Sequence, residues 1–265
     1  MGATCWLFNS IRLSSLNQSI WTHCRQKETM TCILVAHLGD EIIIAADKRV
    51  TLVTPDGAKS PGGDDEEKIV RTKVGVITGT GSVEMLNDVK TLARDLGFNS
   101  PDEVLGFILD AQGTFSNQYA DSPRLKIDLA QTSFMFTYPA IANDKFVTRF
   151  VYYHQSHSTD SLYRLEDGKV MCFPSGFSQE QATEVRDKLQ YLVTSALESD
   201  SIHESRMLVI SHMRKLMKEI SDSTETVSSI CDIAVIDGRD VEIAMSVATD
   251  DEVFKLVPMT HLTSS

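Results

Sequence analysis

The sequence predicts a single α+β domain, a four-layer α/β/β/α sandwich in which two helix pairs cover two stacked sheets. Three observations lead there. The 265 residues, 42% of them hydrophobic, suffice to bury one substantial core. The elements read in the order strands, two helices, strands, two helices, strands. Each helix pair must bury an apolar face against a sheet, and the strands are too many for one sheet covered on a single side.

Residues 1–30 read as a leader distinct from a domain at 31–265. They hold both tryptophans, show no clear period and run into the polar Arg25-Gln26-Lys27-Glu28. The leader is either a propeptide or an upstream extension of a gene whose working start is Met30. Two apolar runs then follow, Cys32 to Ala36 and Ile42 to Ala46, separated by the hairpin signal Gly39-Asp40. With no polar residue on either face, both strands should be buried on two sides. Thr54 to Asp65 gathers turn formers and charge, which predicts a surface loop, and strands are expected at 68–71 and 74–78.

Four helices are expected. The first, about 83–96, places Leu86, Val89, Ala93 and Leu96 on one face, and the third places Ala182, Val185, Leu189, Leu192 and Ala196 likewise. Capping boxes at Ser100-Pro-Asp-Glu103, Ser178-Gln-Glu-Gln181 and Ser201-Ile-His-Glu204 should open the second, third and fourth, each satisfying amides that a helix start leaves without partners. Strands are expected at 132–138, 145–153, 162–165 and 170–173, and a last pair at 230–236 and 241–247 around Asp237-Gly-Arg-Asp240.

Charge and composition exclude several classes of function. A net charge of −12 without clustered Lys or Arg argues against nucleic-acid binding. No stretch approaches the roughly 18 apolar residues of a membrane span, and residues 6–16 are too broken for a secretory signal. The start Met1-Gly2 departs from a myristoylation signal by carrying Trp6. The cysteines Cys5, Cys24, Cys32, Cys172 and Cys231 are scattered, with no C-x-x-C pair, and fit a reducing cytoplasm. His154-x-x-His157 follows a strand and lacks a nearby third ligand, so a polar loop explains it better than a metal site. No cofactor or nucleotide motif is present.

The chemistry points to Thr31. A threonine hydroxyl is a weak nucleophile until a base takes its proton, and the residue's own α-amino group serves when Thr stands at a free N-terminus. Removal of an initiating Met30, or cleavage before Thr31 in a longer chain, exposes the same amine. By position alone Thr31 would simply start a β-branched strand.

The stretch from Thr31-Cys-Ile-Leu-Val-Ala36 through Ala45-Ala-Asp-Lys-Arg-Val-Thr51 resembles the opening of proteasome β-subunits and of the bacterial protease HslV, members of the N-terminal nucleophile (Ntn) hydrolases. A leading Thr, a hairpin turn with Gly, a small-residue pair and Asp-x-Arg-x-Thr fall on Thr31, Gly39, Ala45, Ala46, Asp47, Arg49 and Thr51. Lys68-Ile-Val-Arg71 resembles the strand that begins with the family's catalytic lysine, Val76 to Ser82 its Gly-rich turn, and Phe173-Pro-Ser-Gly-Phe177 its Gly-Ser-Gly element.

The resemblance implies an Ntn-type sandwich and a threonine endopeptidase. Thr31 is then nucleophile and amine base, Lys68 holds the amine near neutrality, Asp47 pairs with Lys68, the Gly79 N–H stabilises the oxyanion and Ser175 orients the amine or its water. It also implies a polypeptide substrate, a homo-oligomeric ring and a separate ATP-dependent unfoldase. Alternatives are a small-molecule amidase with the same chemistry and a catalytically silent ring scaffold. Three departures stand out: Met30 replaces the Gly favoured at self-processing sites, the loop before Lys68 is long and contains a rival Lys59, and the family's Asp and Ser near the last strand pair have no clean match around Ser228 and Ser229. Cys32 is the rival nucleophile, but the downstream spacing favours Thr31, leaving Cys32 as a buried small hydrophobe.

Overall fold

A computed structural model describes residues 26–29, 31–54, 58–174, 176–199, 201–251 and 253–259. The chain begins with strands β1 (Gln26–Thr29), β2 (Ile33–His37), β3 (Glu41–Asp47), β4 (Thr51–Val53), β5 (Lys59–Pro61), β6 (Val70–Arg71) and β7 (Val76–Ser82). Helices α1 (Val83–Asp95), α2 (Pro101–Gln118) and α3 (Leu125–Gln131) come next. Strands β8 (Ser133–Ala142), β9 (Lys145–His154), β10 (Tyr163–Arg164) and β11 (Val170–Phe173) lead to α4 (Gln179–Ala196) and α5 (Ile202–Ser223). Strands β12 (Ile230–Asp237), β13 (Asp240–Ala248) and β14 (Val257–Pro258) close the order.

Two sheets form, a six-stranded one in the order β11-β2-β3-β12-β13-β14 and an eight-stranded one in the order β10-β9-β8-β7-β1-β4-β5 with β6 also on β7. The β2–β3 hairpin turns through Gly39, whose φ of +89° is a backbone state that glycine adopts without a Cβ penalty. Both strands are buried along their whole length. Side chains alternate across a strand with a period of two, which divides these apolar runs between two different cores. Leu34, Ala36, Ile43 and Ala45 pack with Leu189, Val193, Val209 and Met213 of α4 and α5. Ile33, Val35, Ile42 and Ile44 face the other way and meet Val76, Met135 and Phe150 of the second sheet. That sheet sends Ile77, Phe134 and Phe136 outward to Leu86, Val89, Val104 and Ile108 of α1 and α2. Each fully buried aliphatic side chain contributes about 1.5–3 kcal/mol, so three such cores hold the α+β fold together.

Several expectations need correction. Among the described residues five helices form rather than four. The additional one, α3, spans 7 residues, too few for a 3.6-residue period to register in the sequence. Val76 to Ser82 is a strand throughout, not a turn, and the strand expected from Lys68 begins only at Val70. Leu96 is 64% exposed, so the apolar face of α1 ends at Ala93. Only the Ser178 box forms reciprocally. The Glu103 carboxylate instead accepts the Asn99 N–H at 3.0 Å, and Glu204 accepts the Ser199 hydroxyl at 2.8 Å.

Strands β1, β4, β5 and β14 had no counterpart in the sequence reading. Of these β1 matters most, because it lies between β4 and β7 and brings residues 26–29, just before Thr31, into the sheet. Among the described residues no helix is long and apolar enough to cross a membrane. Ile44→Ala, which empties space between the two sheets, should cost about 2–5 kcal/mol. It should be seen as a lower urea midpoint at unchanged slope, whereas Ile141→Ala, at a side chain 73% exposed, should leave the midpoint nearly unmoved.

Candidate active site

Asp47 ends β3 and is fully buried. The β2–β3 ladder continues past its last strand pair here, because the Asp47 N–H donates to the Cys32 carbonyl at 3.1 Å. The Cys32 N–H in turn donates to Asp47 Oδ1 at 2.8 Å. An isolated buried carboxylate would be very costly, and this one is surrounded by donors. Lys68 Nζ reaches the same Oδ1 at 2.8 Å. The N–H groups of Arg49 and Ser228 each reach Oδ2 at 3.0 Å. Lys68 is itself fully buried and donates also to the Arg49 carbonyl at 2.6 Å. Burial pushes the Lys68 ammonium towards losing its proton, and Asp47 opposes that loss.

Thr31 precedes this centre by one residue. Its Oγ1 is buried and has no hydrogen-bond partner among the described residues. Buried hydroxyls are usually paired, and this one shares its unpartnered state with the hydroxyls of Thr51, Thr78, Ser82 and Ser133. Burial, reinforced by Asp47, holds the Cys32 thiol well above its usual range, so it stays protonated. On the approach to Thr31, β1 pairs Glu28 with both Thr51 of β4 and Ser82 of β7, and Thr29 with Gly81.

The rival Lys59 sits exposed on β5, paired with Val53, away from the buried centre. Gly79 lies within β7 opposite Phe134, where an added Cβ would meet Leu86 Cδ2 and the Ser133 carbonyl oxygen, each at 2.4 Å. Its lack of a side chain therefore has a packing reason independent of any chemistry. Ser175 lies outside the described residues, as do Met30 and the leader as far as Arg25. The rings of His154 and His157 stand 5.3 Å apart. Among the described residues no group of three or more His, Cys, Asp or Glu side chains could hold a metal.

The structure also adds residues that pattern reading missed. Asp64, from the loop before Lys68, receives a bidentate ion pair from Arg49, with Nε–Oδ1 and Nη2–Oδ2 both 2.7 Å. The Ser228 hydroxyl donates to Asp64 Oδ2 at 3.0 Å, so Ser228 rather than Ser229 meets the centre. Arg49 Nη1 also reaches the carbonyls of Glu225 and Val227, at 2.9 and 3.2 Å. Nearby, the buried Lys48 pairs with the buried Asp232 at 3.1 Å, and Asp232 Oδ1 accepts the N–H of Ser246 at 2.8 Å. Ser246 has a φ of +53°, inside a bulge where the β12–β13 register shifts.

No protein-family model matches the sequence, and no curated protein matches it. Solved structures do. A Gly-1 mutant of Anbu from Hyphomicrobium sp. strain MC1 superposes with a TM-score of 0.53 at 14% identity, covering 84% of this chain and 89% of its own. Anbu from Yersinia bercovieri, described as an ancestral beta-subunit, gives 0.51 at 10% identity, covering 87% and 88%. Eukaryotic HslV from Trypanosoma brucei gives 0.43 at 12% identity, covering 78% and 99%. The chain is thus similar to Anbu over most of both lengths, at identities that speak for a shared fold alone.

Proposed function

We propose that this chain is a subunit of a proteasome-like protease, built on a four-layer Ntn-type sandwich, whose nucleophile is the hydroxyl of an N-terminal Thr31. One observation carries the reading: the buried Lys68–Asp47 pair, at 2.8 Å, shares its carboxylate oxygen with the Cys32 N–H, directly after a buried threonine hydroxyl with no partner among the described residues. An α-amino group has an ordinary pKa of roughly 7.7–8.0, so a neighbouring ammonium need lower it only modestly for the free base to predominate at neutral pH. The amine takes the hydroxyl proton as Oγ1 attacks a peptide carbonyl. It then returns that proton to the departing amine of the substrate, leaving an ester on Thr31 that water hydrolyses.

The Gly79 N–H is assigned the oxyanion through the resemblance, from a strand whose Gly81 pairs with Thr29 two residues before Thr31. Ser175 is assigned the orienting of amine or water through the resemblance alone. A homo-oligomeric ring, a cytoplasmic setting and a separate ATP-dependent unfoldase extend the same reading. In the 265-residue chain the Thr31 nitrogen is an amide joined to Met30, and β1 fills the sheet between β4 and β7. Activity on this reading requires that Thr31 gain a free amine, either by cleavage before it or by translation from Met30 and removal of that Met.

Three outcomes test the reading. In protein whose mass shows Thr31 at the N-terminus, Thr31→Ala should fold normally yet lose at least about a thousandfold in peptide turnover; turnover near the parent level would sink the nucleophile assignment. Lys68→Ala should abolish turnover and also lower stability by about 3–5 kcal/mol, because it leaves Asp47 charged and buried without its partner. Lys59→Ala should match the parent in both assays, and an inactive Lys59 variant would reverse the assignment of the two lysines. Finally, protein translated from Met30 should hydrolyse peptides at least as fast as the full chain. Equal turnover by full chain with its leader verified intact by mass spectrometry would refute the free-amine mechanism.

A further inference from the structure

We propose that Asp64 is a positioning residue for this centre: its carboxylate grips the side chains of the two residues whose backbone N–H groups fill Oδ2 of Asp47. The inference rests on the reading of Thr31 as an N-terminal nucleophile and extends it to a residue of the long loop. Oδ2 of Asp47 has two donors, the N–H groups of Arg49 and Ser228. Asp64 holds Arg49 by a bidentate pair and Ser228 by its hydroxyl. The same guanidinium reaches back to Glu225 and Val227, so it ties the segment that carries Ser228 to the segment that carries Asp47. The loop is anchored in turn, because the Val50 N–H donates to the Gly63 carbonyl at 2.9 Å and the Gly62 N–H to the Val50 carbonyl at 2.7 Å.

Most ion pairs near a surface contribute little, but bidentate, partly buried ones are the exception. These side chains are 23% and 30% exposed. The Arg49 hydrogen bond, aided by Ser228, holds Asp64 below the usual carboxylate range, so it stays charged through neutral pH. Among the described residues the charged and titratable groups facing the centre include Asp47, Cys32 and Glu66 on Lys68, Glu66, Lys68 and Glu67 on Lys90, Arg49 and Lys68 on Asp64, and Asp64, Asp47 and Glu225 on Arg49. Two N–H donors on Oδ2 spread the charge of Asp47 away from Lys68 and the Thr31 amine. Without them that charge bears more strongly on both cations and favours the protonated amine.

This makes a prediction of sign. Removing a carboxylate that only contributed charge would lower the proton affinity of a nearby amine, and removing one that only stabilised the fold would leave it unchanged. A positioning residue raises it. The test uses the full chain with a site-specific protease sequence in place of residues 27–30, cut after folding so that Thr31 becomes N-terminal. The pH dependence of Thr31 acetylation by trace acetic anhydride, read by mass spectrometry, gives the amine pKa without requiring any activity. Peptide turnover is measured in parallel.

Asp64→Asn should raise the amine pKa by about one unit, leaving roughly tenfold less free base near pH 7, with kcat lower by a similar factor and KM within about twofold. An unchanged or lowered pKa overturns the proposal. If Asp64→Asn does not fold, Ser228→Ala deletes the hydroxyl link to Asp64, together with the acceptor of the Ile230 N–H at 3.1 Å, and should shift the pKa in the same direction, by roughly threefold in free base; no shift overturns the proposal equally. A parent that hydrolyses nothing while Asp64→Asn still raises the amine pKa would refute the peptidase reading and uphold the positioning role. An active parent whose amine pKa ignores Asp64 would do the reverse.

Discussion

The Asp47 carboxylate sets the terms for much of this molecule. A carboxylate at zero exposure is tolerable only where donors replace its lost water, and here two come to each oxygen: the Cys32 N–H and Lys68 Nζ on Oδ1, the Arg49 and Ser228 N–H groups on Oδ2. Those donors belong to four separate stretches of chain. The start of β2, the turn after β3, the segment entering β6 and the segment entering β12 must therefore all arrive at one point. The two sheets and the core between them place these segments there, since β3 lies between β2 and β12 in the six-stranded sheet. The same demand explains why a lysine can be fully buried beside it. Each charge is the other's principal compensation, and neither has an alternative partner in water.

The cost of that arrangement also bears on the two adjacent candidates for nucleophile. Cys32 donates its backbone N–H to Asp47 while its thiol is buried near the same negative charge, which discourages the thiolate. Thr31 needs no ionised form of its side chain. It needs a base nearby and space free of competing hydrogen bonds, and its hydroxyl has no such bond among the described residues. Two neighbouring residues with similar intrinsic promise are thus separated by what surrounds their side chains.

The centre was partly legible in the sequence. Thr31, Asp47 and Lys68 were singled out by their resemblance to the opening of proteasome β-subunits; the two apolar runs made evident only the hairpin that ends at Asp47. Asp64 could not be. It stands in Pro-Gly-Gly-Asp-Asp, where an acidic residue reads as turn chemistry, and only the folded loop reveals that Arg49 and Ser228 converge on it. The strand β1 was equally hidden, since Gln-Lys-Glu-Thr has no apolar alternation and its pairing is dictated by the strands on either side. Gly79 illustrates the opposite difficulty: its packing against Leu86 and Ser133 requires glycine whether or not its N–H has a chemical task.

The position of β1 has a further consequence. Among the described residues it is the strand that joins β7 to β4 in the eight-stranded sheet, so releasing it would divide that sheet, with the β4–β5 hairpin on one side of the gap. Adjacent strands lie about 4.8 Å apart, so the two exposed edges would face each other across roughly 10 Å, a slot one strand wide. Residues 26–29 occupy that slot as β1. Once it is withdrawn, the wall formed by β4 and β5 is moored by the backbone bonds between Val50 and residues 62–63 and by the grip of Asp64 on Arg49. The loop whose length had obscured the sequence would then anchor one wall of that slot.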